Sequence, residues 1–309
     1  MSISSLLVAL PGDVAQGIIW GIMALGVFIT FKLLNFADLS VDGSFATGGA
    51  VTVILMIGGY NSGIALLVAF LAGVTAGLAT GLLHTLLGIP DILAGILTQI
   101  ALYSINLNIM DGKANTAISV DKYNLIVSLR YIPHAIVVGA IFAVVIICFM
   151  YWYFGTEMGS AIRATGANPA MSKAQGININ AMKVIALALS NGLVAVSGGL
   201  LAQYQGFADV NMGRGAIVIG LASLIIGEVI CNALFSKKRN FILTMSFVII
   251  GGILYYIIIG IVLWLKMPTN DLKLFTAIIV AIFLAVPYLK NQANSSFRKA
   301  AKRGGQENA

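Results

Sequence analysis

Charge is the scarcest commodity in this chain. Only 9% of its 309 residues are charged, while 59% are hydrophobic. Soluble domains carry about 25% charged residues, and a water-soluble fold of this size must cover much of its exterior with polar groups. Soluble enzymes, disordered chains and disulfide-stapled secreted domains are therefore excluded. Cysteine is nearly absent. Cys148 and Cys231 both sit in apolar runs and read as small buried hydrophobes, not as a disulfide or metal pair. Two histidines are present; His84 has no partner at ligand spacing, so no metal site is expected. No GxxxxGK[ST] phosphate loop occurs, and the largest pieces between apolar runs, about 20 residues, are too short to fold alone. No nucleophile–base constellation argues for chemistry, and no cofactor or nucleic-acid partner is expected for the chain itself. Met1 to Pro11 lacks a basic stretch and a small-residue cleavage site, so it does not read as a signal peptide.

What is present is a succession of continuous apolar runs rich in Ile, Leu, Val, Ala and Gly. Barrel strands would alternate apolar and polar residues. The expected fold is an all-α polytopic membrane protein, with 1–290 as one transmembrane domain and 291–309 as a basic, disordered tail. We read nine candidate spans, within a range of eight to ten: 14–34, 44–60, 63–84, 92–110, 133–154, 180–203, 215–235, 241–265 and 272–289. Trp20, Trp152, Trp264, Tyr60, Tyr151, Tyr153, Tyr204 and Tyr288 fall near span ends and suit an interfacial aromatic belt. The net charge of +7 is unevenly placed. Lys290, Arg298, Lys299, Lys302 and Arg303 mark the tail; Lys237, Lys238 and Arg239 mark the 236–240 turn; Arg163 and Lys173 mark 155–179, with Lys183 just beyond. The bias of short loops toward Lys and Arg puts these segments in the cytoplasm and 111–132, 204–214 and 266–271 outside.

Segment 155–178 contains a self-delimited short helix. Asn168 is a good N-cap, Pro169 suits the first helical position, and Gly176 suits the left-handed position after the last turn. Met171 and Lys173 lie between them. About seven residues of helix are not stable alone in water, so this one needs a docking surface: its own membrane domain, or a groove in a cytoplasmic partner.

Arg163-Ala-Thr-Gly166-Ala-Asn168-Pro169, followed by Gly176-Ile-Asn178, resembles the cytoplasmic loop of ABC-importer permeases of the branched-chain amino acid and ribose (simple sugar) type. The likeness continues through Ala188-Leu-Ser-Asn191-Gly192, Ser197-Gly-Gly199, Gln203 to Gly213, Ile219 to Ser223 and Ile226-Gly-Glu228. Leu34-Asn35-Phe-Ala-Asp38 with Val41-Asp42-Gly43 adds to it. The longer matches are most similar to the tryptophan/tyrosine permeases within that group. Arg214 departs from the pattern, standing between Gly213 and Gly215 where an uncharged residue is expected.

The resemblance implies a bacterial cell-membrane, multi-pass permease with a cytoplasmic C-terminus. It implies two copies around a central path, a homodimer being expected, with cytoplasmic ATPase subunits that use ATP and Mg and an extracytoplasmic substrate-binding lipoprotein. Transport would be import by alternating access. An amino acid is the expected solute, tryptophan or tyrosine ahead of branched-chain amino acids, simple sugars and nucleosides. Arg163, Gly166, Asn168, Pro169, Met171, Lys173 and Gly176 would couple to the ATPase. Asp209, Asn211 and Arg214 would meet the binding protein.

Asn35 to Gly49 holds Asp38 and Asp42 beside Gly43 and Ser44. Carboxylates here are costly unless wet or paired. A broken or re-entrant helix near 35–49 could present them to a substrate, or either could simply cap the next helix. Gln99, Ser104, Asn106, Asn108, Ser190, Asn191 and Ser197 are lone polar residues inside spans; most read as interhelical hydrogen-bond formers and some as path residues, Gln99 and Asn191 being the candidates singled out. Glu228 lies in the 216–235 run and is either ion-paired with Lys237 or Lys238 or a gating residue. Two other classes stay open: a proton-coupled secondary transporter using Asp38, Asp42 or Glu228, and a membrane enzyme or passive channel.

Overall fold

The computed structural model describes residues 3–235 and 240–265, with scattered helical positions between 274 and 285. Eight helices match the first eight expected spans: α1 (Ile3–Val27), α2 (Val41–Ile57), α3 (Ser62–Leu86), α4 (Asp91–Ile109), α5 (Ile132–Gly155), α8 (Ile179–Gln205), α9 (Ala216–Phe235) and α10 (Phe241–Trp264). Among the described residues, seven segments are long and apolar enough to cross a membrane, the first being Leu7–Leu33; α2 is shorter. The expected ninth span at 272–289, the 266–271 loop, the Lys237–Arg239 turn and the tail lie outside the described residues, apart from those scattered positions.

Two short helices, α6 (Glu157–Ala167) and α7 (Pro169–Ala174), stand between α5 and α8. At the opposite end of the bundle, β1 (Asn115–Ala117) pairs antiparallel with β2 (Phe207–Asp209), placing Asn115 opposite Asp209. This short pairing is the one strand element among the described residues of an otherwise helical fold. It ties the α4–α5 loop to the α8–α9 loop. Gln203 Oε1 holds the same loop by accepting from the Ile126 amide at 2.9 Å.

With no oil–water contrast between helices in lipid, close packing and hydrogen bonds must hold the bundle. Glycine supplies the close approach. A Cβ at Gly73 or Gly77 on α3 would fall on the Asn191 or Leu187 carbonyl of α8, and one at Gly48 on α2 would fall on the Ala195 carbonyl. α8 is thus the central post. It also donates to α1, from Ser190 Oγ to the Gly26 carbonyl and from Ser197 Oγ to the Ile19 carbonyl, both at 2.7 Å. These serines are interhelical bonds, as expected from the sequence.

The aromatic belt is only partly realised. Tyr60, Tyr151 and Trp152 are exposed, but Trp20 is buried, stacked between Phe45 and Tyr256, and Tyr204 is buried with its hydroxyl donating to the Gly12 carbonyl. Trp20 packs between helices because α1 begins well before residue 14, which moves it away from the helix end.

Candidate functional site

The first span does not run directly into the second. α1 widens into a π-helical turn at Phe28–Leu33, in which the Leu34 amide donates to the Ile29 carbonyl. Asn35 then takes a left-handed conformation (φ 56°), which asparagine tolerates better than most residues. The chain stays unwound to Ser40, and α2 starts at Val41. This is the break expected near 35–49, located at 34–40.

The unwound segment is pinned against the middle of α8. Asn191 lies about twelve residues, or about 18 Å of helical rise, from the start of that helix. Its Nδ2 donates to Asp38 Oδ2 at 2.8 Å and to the Leu187 carbonyl at 3.0 Å. Its Oδ1 accepts from Ser44 Oγ at 2.6 Å and from Ser40 Oγ at 3.2 Å. Asp38 Oδ1 accepts from both the amide and the hydroxyl of Ser40. Asp38 is 2% exposed, and Ser40, Ser44 and Asn191 are fully buried. Every polar atom of the Asp38 and Asn191 side chains is satisfied, so this is a closed knot and not an open site. Asp38, Ser44 and Asn191, all candidate path residues, are brought together to hold the broken segment.

Asp42 does something different. Its carboxylate accepts from the Gly215 and Ile217 amides, each at 2.9 Å, and so caps α9 instead of its own helix. The chain before α9 reaches it because Gly213 lies against the Asp42 carbonyl, where a Cβ would not fit. Asp42 and Gly43 also line a cavity of about 370 Å³ shared with Gln99, Tyr103, Asn106 and Arg214. Three expected path residues (Asp42, Gly43, Gln99) therefore meet at one cavity. Asn35 is exposed and does not line it.

At the other end, α7 projects from the body. The Asn168 side chain accepts from the Met171 amide at 3.0 Å, Pro169 occupies the first turn, and Gly176 has φ +82°. Only Ser172 of α7 is buried; Met171 is 62% exposed, and Lys173 is exposed. α6 was not foreseen as a separate helix. The Thr156 side chain caps it, and that residue is its one sequence signal. Arg163 and Gly166 belong to α6. A Cβ at Gly166 would fall on the Leu33 carbonyl and lie 2.8 Å from the Leu34 carbonyl carbon. The α6–α7 unit thus rests directly on the π-turn that leads to Asp38. Lys32 of that turn bonds Glu228 of α9 at 3.0 Å, which gives Glu228 a partner from a distant span. His84 is absorbed structurally: Nδ1 meets the Ile89 carbonyl at 2.8 Å and Nε2 meets Lys183 Nζ at 2.9 Å.

Of the outer candidates, Asp209 lies in β2, its Oδ2 within 3.4 Å of Asn115 Nδ2, and its Oδ1 accepts from the Asn211 amide at 2.7 Å. Arg214 instead lines the Asp42 cavity.

A multi-pass helical membrane protein with a broken helix, a cavity beside the break and a short exposed helix at one end has the parts of a transporter body. A family described as "Branched-chain amino acid transport system / permease component" matches residues 13–287, and the chain belongs to that family. It is a permease of the ABC type for small solutes, a membership that implies ATPase and substrate-binding partners. It is similar to the tyrosine transport system permease protein of Clostridioides difficile, with 40% identity over 270 residues covering 87% of this chain and 88% of the other. An uncharacterized protein of Rickettsia prowazekii is 30% identical over 272 residues, 87% of this chain and 94% of that one. The autoinducer 2 import system permease LsrC of Escherichia coli is more distant, 25% identical over 209 residues, 67% of this chain and 60% of LsrC. No solved structure matches.

Proposed function

We propose that this chain is the membrane subunit of an ATP-driven importer of an amino acid, with tyrosine or tryptophan the favoured solutes, working as a pair of identical copies. The 40% identity to a tyrosine transport permease, over most of both chains, carries the choice of solute. It weighs more than the 25% likeness to LsrC. The mechanism is argued from the contact of α6 with the π-turn. An ATPase seated on α7 moves α6; Gly166 transmits that motion to Leu33; the turn carries the Asp38–Asn191 knot and, through Lys32 and Glu228, α9. The cavity itself is lined by α2, α4, Val210 and Arg214, which adjoin these elements: Ser44 of the knot follows Asp42 and Gly43 in α2, and Arg214 leads into α9. Two arrangements of this set would open it to one side or the other, which is the differential contact an alternating-access cycle needs. Orientation follows the basic segments, with α7 cytoplasmic and the β1–β2 end, including Asp209 and Asn211, facing the binding protein.

A proton-driven cycle is disfavoured by the same geometry. The carboxyls of Asp38 and Asp42 are already engaged by donors of the chain, Ser40 and Asn191 for the first and the Gly215 and Ile217 amides for the second. The test is reconstitution of the permease with its ATPase and binding protein in liposomes. Tyrosine or tryptophan accumulation that requires ATP is expected, with ribose and leucine carried poorly. Accumulation driven by a proton gradient without ATP would overturn the reading.

A further inference from the structure

The cavity holds a residue that folding alone does not explain. Asn106 of α4 is fully buried, and neither its Oδ1 nor its Nδ2 has a hydrogen-bond partner. A buried amide with no partner is costly, and native proteins rarely keep one without a use. Asn106 belongs to the wall of the same cavity as Arg214, with its amide atoms closed off from the open space. Arg214 makes no ion pair among the described residues, and its neighbour Asp42 is already engaged by two backbone amides. Gly215, at φ +85°, and Gly213, packed on the Asp42 backbone, fix the segment that presents it. The cavity, about 370 Å³ and suited to a small solute, therefore carries a guanidinium, with an unengaged acceptor and donor buried in its wall.

The geometry points to a zwitterion subsite between α2, α4 and the start of α9, in which Arg214 binds the substrate's α-carboxylate and Asn106 bonds its α-ammonium. This deepens the amino-acid reading above and rests on it. A guanidinium pairs with a carboxylate through two parallel N–H···O bonds, a match a lysine ammonium does not reproduce. Asn106, turned about its side-chain bonds toward the cavity, accepts from the ammonium through Oδ1, and Tyr103 flanks the solute. Arg214 is then a selectivity element particular to chains that carry a charge at this position.

The test places a single thiol at Ser104, which lines the cavity, as Ser104→Cys with Cys148→Ser and Cys231→Ala in the full chain. Its alkylation rate is measured with L-tyrosine or tyramine, the latter lacking the carboxylate. L-Tyrosine should slow labelling at least fivefold and tyramine should not. Arg214→Gln should abolish that protection and Arg214→Lys should retain only part of it. Asn106→Leu should weaken protection yet raise the melting temperature, since it removes a buried amide without partners. Equal protection by tyramine, undiminished protection in Arg214→Gln, no protection by either compound, or a lower melting temperature in Asn106→Leu would each overturn the subsite. If the wild-type complex imports tyrosine with ATP while Ser104→Cys is unprotected, the subsite alone falls. If the complex imports no amino acid, the function falls as well.

Discussion

Replacing Asn191 with alanine removes the one side chain that joins the broken segment to α8. Nδ2 no longer donates to Asp38 at 2.8 Å, and Oδ1 no longer accepts from Ser44 at 2.6 Å. Both partners are buried, so no water replaces what is lost. Leaving buried polar groups unsatisfied costs about 1–3 kcal/mol for each group. A net loss of about 2–3 kcal/mol is expected, because Asp38 keeps its two bonds from Ser40. At about 2–4 °C per kcal/mol for a chain of this order of size, the melting temperature should fall by about 4–12 °C. Cys231, buried in α9, is the reporter: in a Cys148→Ser background a thiol-reactive dye reads its exposure on heating. Asp38→Ala should cost a similar amount, and the double variant should cost clearly less than the sum, because each single change strands the other's partner. Full additivity, or an Asn191→Ala melt within about 1 °C of the parent, would refute the knot.

Further outcomes follow from the same contacts. Asp42→Ala removes both caps from the α9 N-terminus and should destabilise by about 1–2 kcal/mol, while Asp42→Asn, which keeps one acceptor, should lose about half of that; the Cys231 melt reads both. Gly166→Ala drives a methyl onto the Leu33 carbonyl and should displace α6. The reconstituted complex should then hydrolyse ATP while accumulating severalfold less solute per ATP; unchanged coupling would remove α6 from the mechanism.

Much of the architecture was readable because it rests on local pattern. Continuous apolar runs located eight helices to within a few residues, except that α1 begins eleven residues earlier than expected and runs through Pro11. α7 was legible to within one residue, since Asn168, Pro169 and Gly176 are each a local capping signal. The pairings that give those parts their roles are not local. Asn191 meets Asp38 across 153 positions, and Lys32 meets Glu228 across 196. No periodicity encodes such distances. The sequence leaves Asp42 as either a path residue or a cap for the next helix; it caps α9, because Gly213 lets a distant loop lie against it. Asn106 read as one more hydrogen-bonding residue in a span; only the packing reveals that no partner reaches it. The repeated Phe-Ala-Asp at 36–38 and 207–209 is unwound backbone in one place and a strand in the other, so the two copies do not share a conformation.

The central claim is that α7 is the cytoplasmic handle by which a separate motor moves this membrane body. Met171, 62% exposed on that helix, allows a direct measurement. Met171→Cys in the Cys148→Ser background is treated with a membrane-impermeant maleimide in right-side-out and inside-out vesicles, with and without the bound ATPase. Labelling should occur only in inside-out vesicles and should be blocked when the ATPase is present. Labelling in sealed right-side-out vesicles, or labelling that the bound ATPase leaves unchanged, would contradict the account.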